Sequence, residues 1–254
     1  MATLSRRTVT PLAHLSTRCA PRVLGTALTI IFTAVPEAVW LVGGTALAGY
    51  YAAHRRSDDL DLFAKDAPAF RATVAAVRSL TRQGAVLEQE RHFPEYFHVD
   101  VAWQQHQFTI DVVQDARLHA IGTARRAADG VWVPDLPTLY LMKIAALVSR
   151  CSEKDLYDLA WLFAHHTKID VGEMLAKGQL LDAGLTVESL LISLRGTVLR
   201  RDACGFVMGG PSKMAAAHRT ITALQRQLVK ALLAHEKTSA PSELVSRFRQ
   251  QLRK

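Results

Sequence analysis

The chain has 254 residues, of which 49% are hydrophobic and 21% are charged, and its formal net charge at pH 7 is +8. This composition is typical of a globular protein and excludes a largely disordered chain. The positive charge indicates a surface that attracts polyanions, namely nucleic acid, nucleotides or anionic membranes, and charge alone does not choose among them.

The N-terminal region and the cysteines bear on location. An apolar run at 23–35 follows a pair of arginines, as in a signal peptide, but no small-residue cleavage site follows it cleanly. We therefore expect an N-terminal helix that packs on the domain. Cys19, Cys151 and Cys204 form no C-x-x-C pair, so neither a disulfide framework nor a zinc site is indicated. The cysteine pattern fits a protein of the reducing cytoplasm best. No apolar stretch reaches the ~20 residues that are needed to span a membrane.

The next segments predict a strand, a glycine turn, a helix and a second strand. AVWLVGG at 38–44 is typical of a short buried strand, and the following TALAGYYAAHR has helical spacing. DLDLF at 59–63 alternates charged and apolar side chains, as a strand does when one face is buried and the other lines a cleft.

The remaining elements divide into a strand-rich part and a helical part. A helix is expected over about 68–83, followed by strands at AVLEQE, YFHVDVAW, QFTIDVV and VWV. From Leu136 onward the pattern is helical almost throughout. The sequence thus predicts an α+β protein with a mostly antiparallel or mixed sheet, divided into domains at 1–135 and 136–254.

Three aspartates on the predicted strands have the spacing of a metal site. Asp59 and Asp61 are two residues apart, so on a strand their carboxylates share one face and repel each other unless a cation lies between them. Asp111, in QFTIDVV, lies on a later strand that can neighbour the first. Because Mg²⁺ prefers oxygen ligands and is usually held by carboxylates and substrate phosphates, we expect a magnesium site, and three carboxylates suit two ions.

The glycine turn complements these carboxylates. Gly43 and Gly44 allow backbone N–H groups to approach a polyphosphate, and the helix that follows begins with the positive end of its dipole. Thr45 either caps that helix or bonds a phosphate oxygen. Together with the aspartates, this order of elements predicts a metal site beside a turn that can approach a polyphosphate.

Two segments resemble the motifs of a known family. GGTALAGYYAAHRRSDDLDLF is similar to the first motif of the nucleotidyl transferase AbiEii/AbiGii toxin family, in which a glycine turn precedes an H-R-x-S-x-D-x-D string. LMKIAALVSRCSEKDLYDL is similar to that family's K-x-x-A-L and R-x-x-x-K-D-x-x-D signatures. The resemblance covers about residues 38–165 and implies a polymerase-beta-like nucleotidyltransferase fold followed by a helical region.

The resemblance also implies roles for individual residues. It makes Asp59 and Asp61 metal ligands, and it assigns catalysis or triphosphate binding to Lys143 and Asp158. Arg55 falls on the family's arginine position, although Arg55-Arg56 and Asp58-Asp59 are doubled here. The residues expected to bind nucleotide are Gly43, Gly44, Thr45, Arg55, Ser57 and Lys154.

Spacing alone allows a simpler interpretation of EKDLYDL. Lys154 and Asp158 are four residues apart, and such a helical pair is often a surface ion pair worth a few tenths of a kcal/mol. We expect Lys143 to contact the triphosphate and Lys154 only to brace the helix pair. The histidines, including His54, show no metal-ligand spacing and are interpreted as surface or packing residues.

These observations predict a nucleotidyltransferase toxin that moves a nucleoside monophosphate from an NTP to RNA, with tRNA the expected acceptor by resemblance. The alternatives are a small-molecule or protein nucleotidyltransferase and a binding module that has lost catalysis, which intact Asp59, Asp61 and Lys143 argue against. A neighbouring gene is expected to encode an antitoxin, and no membrane partner is expected. The predicted RNA-binding residues are basic: Arg200, Arg201, Lys213, Arg219, Arg226, Lys230 and the basic residues of 247–254.

Overall fold

The structure, a computed structural model, describes residues 10–35 and 37–238, apart from the side chains of residues 237 and 238. The strands in this part of the chain are β1 (Val39–Val42), β2 (Leu60–Ala64), β3 (Val86–His92), β4 (Tyr96–Trp103), β5 (His106–Gln114), β6 (Ala124–Arg126) and β7 (Trp132–Pro134). The α-helices there are α1 (Arg22–Ala34), α2 (Gly43–Leu47), α3 (Ala67–Arg78), α4 (Ala116–Ile121), α5 (Leu136–Ser149), α6 (Glu153–His165), α7 (Val171–Leu181), α8 (Val187–Gly196) and α9 (Gly210–Thr238).

The main sheet is mixed and brings distant strands together. Its strand order is β1-β2-β5-β4-β3, with β2 parallel to β5 and the other neighbours antiparallel. Asp61 of β2 lies opposite Asp111 of β5 in the register. The predicted α+β architecture, with a mixed sheet and a helical C-terminal region, is confirmed, and its carboxylate-bearing strands are neighbours.

Alternating burial explains how the strands face the core. Leu60, Leu62 and Ala64 of β2 are buried, and the residues between them are partly exposed. The main apolar core continues from α1 through the sheet to α9, so both parts of the chain contribute to it. The apolar run at the N-terminus forms α1, which packs against α3 as expected. No helix in the described residues is long and apolar enough to cross a membrane.

Side-chain caps define where several helices begin. The Asp66 carboxylate accepts the Ala69 N–H at the start of α3, and Asp135 does the same for Thr138 at α5. The helix expected over 68–83 is α3 followed by a 3₁₀ turn at Ser79–Gln83. The short elements α4 and β6 were not predicted, because each is too brief to show a hydrophobic period.

The helix after the glycine turn is shorter than its sequence predicts. After Leu47 the chain continues as a π-helical turn at Ala48–Ala52, which ends at Ala53 with φ +48°. Such π turns are rare and occur frequently at functional sites. His54 and Arg55 therefore leave the helix and extend to Asp158 of α6.

Candidate active site

The glycine turn lies directly against the β2 carboxylates. Gly43 has φ +68°, and a Cβ atom there would lie 2.0 Å from Oδ2 of Asp61. A Cβ at Gly44 would lie 2.4 Å from Nη2 of Arg55 and 2.9 Å from Oγ of Ser57. Neither position accepts a side chain without displacing its neighbours, so glycine is required for this close approach.

The three predicted metal ligands line or border one cleft of about 270 Å³. Asp59 accepts a hydrogen bond of 3.1 Å from the Thr109 hydroxyl. Asp111 accepts one of 2.6 Å from the Tyr96 hydroxyl, and Nδ1 of His98 lies 2.9 Å from the same oxygen. The Asp59 and Asp111 carboxylates are thus each oriented by a neighbouring strand.

The electrostatics of Asp61 show how closely these anions are packed. Burial and, after it, the negative charge of Asp111 raise the pKa of Asp61 to about 6, with a smaller increase from Asp59 and an opposing effect of Lys143. A bound divalent cation would remove this repulsion, and oxygen donors suit Mg²⁺. In the described residues no three His, Cys, Asp or Glu side chains converge on a single metal position. The donor chemistry fits magnesium, although the carboxylates are not gathered around one point.

Asp158 is the centre of a buried charge cluster between the two parts of the chain. Its side chain is fully buried and accepts bonds of 2.6 and 2.8 Å from Nε and Nη2 of Arg55. Nζ of Lys143 lies 2.7 Å away and Nε2 of His54 lies 2.8 Å away. Although burial opposes ionisation, Lys143 and Arg55 hold the pKa of Asp158 well below its usual range. Asp158 therefore lies beneath the cleft surface, where it holds two cations.

Asp155 extends this cluster to the edge of the cleft. Its carboxylate accepts a bond of 2.9 Å from Lys143 and one of 2.6 Å from the Ser152 hydroxyl, which also caps α6. Nε of Arg150 lies 3.2 Å from the same carboxylate, and Arg150 is 71% exposed. Burial raises the pKa of Asp155, but Lys143 and Ser152 outweigh it and lower the pKa overall.

Lys143, and not Lys154, makes the contacts that brace the helix pair. Lys143 is the residue that braces α5 against α6, because it pairs with both Asp155 and Asp158. Lys154 is half exposed, and its Nζ lies 3.8 Å from Asp59 in the cleft. The sequence could not show this, since helical spacing pairs Lys154 with Asp158. In the structure Lys154 lies near Asp59, just before β2, and Asp158 pairs with Lys143 of α5 and with Arg55.

Thr45 lies below the cleft rather than in it. It is buried, its hydroxyl lies 3.0 Å from Oγ of Ser57, and it also hydrogen-bonds to the Asp59 carbonyl. The hydroxyl ties the glycine turn to the start of β2. Gly44, Arg55, Ser57 and Lys154 are the expected nucleotide-binding residues that line the cleft itself.

Sequence reasoning missed several residues of this site. The bonds of Tyr96 and His98 to Asp111 depend on β4 and β5 pairing with His98 opposite Asp111. The alternation of polar and apolar residues along β4 predicts that these side chains share a face, but it gives no register. His54 was interpreted as a surface or packing residue, and it is in fact a buried partner of Asp158. Ser152 belongs to the second motif, but no role had been assigned to it.

Known structures share this fold. MenT4, a nucleotidyltransferase toxin of Mycobacterium tuberculosis H37Rv, is 15% identical, with a TM-score of 0.50 over 84% of this chain and 91% of that one. JHP933 of Helicobacter pylori is 16% identical, with a TM-score of 0.47 over 85% and 94% of the two chains. The mixed sheet followed by a helical region is thus a fold that this chain shares with a solved nucleotidyltransferase.

The family follows from the sequence match. The family described as nucleotidyl transferase AbiEii toxin, type IV toxin-antitoxin system, matches residues 29–195, about two thirds of the chain. The chain belongs to this family of nucleotidyltransferase toxins, as its motifs had indicated. Among curated proteins, none matches the sequence.

The two lysines give a test of the cluster. We expect Lys143→Ala to lower the melting temperature and to reduce NTP binding and transfer by about 10²-fold or more, because Asp155 and Asp158 lose a buried cation. Lys154→Ala removes an exposed charge, so its melting temperature should match wild type and its activity loss should stay within about tenfold. Thermal melts and steady-state kinetics check both variants. If Lys143→Ala has wild-type kinetics and wild-type stability, Lys143 neither braces the helix pair nor contributes to nucleotide binding.

Proposed function

We propose that this protein transfers a nucleoside monophosphate from an NTP to an RNA acceptor, with tRNA the first candidate. The observation that carries this proposal is the contact of the Gly43 backbone with Asp61, in a cleft where Asp111 lies opposite Asp61. A polyphosphate meets backbone N–H groups and carboxylate-bound cations together in such an arrangement. Membership of a nucleotidyltransferase family supports the same reaction.

Asp59, Asp61 and Asp111 are the residues that would hold magnesium, and we propose two ions. Bound Mg²⁺ supplies positive charge that neutralises the phosphates and stabilises the departing pyrophosphate. The chain itself contributes orientation: Thr109 fixes Asp59, and Tyr96 and His98 fix Asp111. These bonds limit the orientations that the Asp59 and Asp111 carboxylates can adopt at the cleft.

The triphosphate is assigned to the side of the cleft that carries Gly44, Ser57 and the cations. Lys143 has three N–H donors, and Asp155 and Asp158 engage two of them, so one remains to meet a phosphate oxygen. Arg150 and Lys154 are largely exposed at the cleft and add mobile positive charge. We assign Asp158 a positioning role, because it is fully buried and holds Arg55 and Lys143 in place.

The RNA acceptor is supported by a basic surface near the cleft. Residues 187–238 contain eight Lys and Arg but three Asp and Glu. Two hydrogen bonds anchor the segment that carries Arg200 beside the site. The Arg200 backbone N–H donates to the Glu153 carboxylate, and the Arg56 backbone N–H donates to the Phe206 carbonyl. The predicted basic residues of this region that the structure describes are all exposed, namely Arg200, Arg201, Lys213, Arg219, Arg226 and Lys230. Residues 247–254 lie outside the described part of the chain.

This surface predicts a strong salt dependence of RNA binding. For about five phosphate contacts, the logarithm of the affinity should fall with the logarithm of salt concentration at a slope of roughly −3.5 to −4.5, because neutralised phosphates release counterions. Changing Arg200, Arg201 and Arg219 together to glutamine should flatten this slope and leave NTP binding nearly unchanged. A salt titration of RNA binding measures it.

The control for that experiment removes the same charge elsewhere. Arg71, Arg82 and Arg91 are exposed on the strand-rich part of the chain, and their triple glutamine variant should keep the wild-type slope. If the two triple variants have equal salt slopes, Arg200, Arg201 and Arg219 are not part of the RNA-binding surface. A wild-type slope near zero would favour a small acceptor.

An acidic groove beside the cleft favours a second candidate acceptor. A groove of about 430 Å³ beside Asp59 carries Asp58, Glu88 and Asp100, and these carboxylates suit a small cationic acceptor such as an aminoglycoside. Incubating the protein with labelled NTPs and either tRNA or aminoglycosides separates the two candidates. Label on the aminoglycoside alone would overturn the RNA proposal.

Three further assignments accompany this function. Membership of a type IV toxin-antitoxin family leads us to assign an antitoxin partner, which identification of the adjacent gene tests. The cysteines Cys19, Cys151 and Cys204 are buried and free, in keeping with action in a reducing cytoplasm. We place the domain boundary at 135/136, where β7 has ended and Asp135 caps α5.

A further inference from the structure

A second pocket opens beside the catalytic cleft. It has a volume of about 320 Å³, and Asp61, Lys143 and Arg150 line both it and the cleft. We call it the side pocket. Its apolar lining comes from Phe63 of β2, Leu118 of α4, Met142 of α5 and Leu181 of α7. Elements from both parts of the chain therefore form it.

The apolar lining of the side pocket is not part of the main core. Phe63, Met142 and Leu181 pack against a small separate cluster centred on Leu118, and all three remain partly exposed. Partly exposed apolar side chains that surround a concave space of this size are typical of ligand sites. Burying them stabilises a bound ligand by removing apolar surface from water.

The chemistry of the neighbouring cleft indicates the ligand. This inference rests on the proposed function, in which the triphosphate lies at Gly44, Ser57 and Lys143. The nucleoside must then extend out of the cleft from the α-phosphate. The side pocket adjoins the cleft, because Asp61 and Lys143 line both spaces. A nucleobase is flat and largely apolar on its faces, and contacts with apolar and aromatic side chains on those faces stabilise it.

We propose that the side pocket binds the nucleobase of the donor NTP. In this arrangement Phe63 and Met142 contact the base while the cations of the cleft hold the phosphates. The carboxylates and the base pocket then lie on the same two elements, because Phe63 is two residues after Asp61 and Met142 directly precedes Lys143. A base seated there fixes the α-phosphate at the carboxylates.

The test separates base binding from phosphate binding. Titration calorimetry with Mg²⁺ and no acceptor compares each of the four NTPs with inorganic tripolyphosphate. Leu181→Trp fills the side pocket, and we expect at least tenfold weaker binding of the preferred NTP, with tripolyphosphate binding within twofold of wild type. The matched control is Leu180→Trp, since Leu180 is 50% exposed and does not line the pocket. It should bind both probes normally.

A second variant guards against a folding defect in the first. Ser149 is exposed at the rim of the side pocket, so Ser149→Trp obstructs the pocket without disturbing the core, and the same selective loss is expected. Equal losses for NTP and tripolyphosphate, or NTP affinities within twofold of wild type in both variants, would overturn the proposal. If NTP binding is unchanged in both variants but a separate RNA-binding titration shows weaker binding, the pocket belongs to the acceptor and the proposal is overturned too. The RNA acceptor can fail without altering these results, because no acceptor is present.

Discussion

We expect Asp61→Asn to reduce nucleotidyl transfer by on the order of 10³-fold and to raise the melting temperature of the metal-free protein by a few degrees. The activity should fall because Asp61 is one of the proposed cation ligands, and asparagine lacks the negative charge that binds the cation. The stability rises because burial, together with Asp111 and Asp59, raises the pKa of Asp61 to about 6, so its ionised form is disfavoured in the folded state. Asparagine has nearly the same shape, so the close contact with Gly43 is retained.

The gain in melting temperature from Asp61→Asn should increase with pH. The unfolded pKa of an aspartate is about 3.9, so the destabilisation by ionised Asp61 grows as pH rises from about 4 to 6 and is full at pH 7. The melting temperatures of Asp61→Asn and wild type should therefore converge near pH 4 in the presence of a chelator. Glu37→Gln is the control, because Glu37 is an exposed carboxylate that does not line the cleft, and it should change neither the transfer rate nor the melting temperature appreciably. Full turnover by Asp61→Asn would contradict the metal assignment.

Asp158→Asn should give the largest loss of stability of any single carboxylate at this site. The substitution removes the anion that Arg55 and Lys143 share in a fully buried position. Breaking such a pair costs about 3–5 kcal/mol, because the remaining charges stay buried. For a chain of this size that corresponds to a melting temperature lowered by roughly 6–20 °C. Transfer should fall as well, since both cations lose their orientation.

Thermal melts over a pH range check the origin of this loss. The pKa of Asp158 is held well below its usual range, so its stabilisation is present above about pH 4 and disappears as pH falls through the lowered value. The difference in melting temperature between wild type and Asp158→Asn should therefore become smaller at acidic pH. Glu90→Gln is the control, because it breaks an arginine–carboxylate pair on the surface with Arg78 and should cost less than about 1 kcal/mol. Equal melting temperatures for Asp158→Asn and wild type at pH 7 would contradict the role of the cluster.

The sequence predicts local structure well where a short period carries the information. DLDLF alternates with a period of two, and this pattern correctly indicates a strand with Asp59 and Asp61 toward a cleft. The glycine pair before a helix likewise predicts the turn that contacts Asp61. These features depend on neighbouring residues, so a single sequence contains them.

What the sequence does not contain is the choice of distant partners. Lys154 and Asp158 have the spacing of a helical ion pair, yet Asp158 binds Arg55 and Lys143 from other elements instead. Helix periodicity places both residues on one face of α6, but it cannot show that α5 packs close enough to bury Asp158. The same limit hid His54, whose partner is 104 residues away along the chain.

The most direct test of the proposed function follows the phosphate. Wild-type protein is incubated with Mg²⁺, tRNA and each NTP, labelled in parallel reactions at the α-phosphate or at the γ-phosphate, with Asp61→Asn as the control. Transfer of a nucleoside monophosphate predicts that tRNA gains the α-label from at least one NTP, gains no γ-label, and gains neither with Asp61→Asn. Incorporation of the γ-label, or no incorporation from any NTP, would contradict nucleotidyl transfer to this RNA.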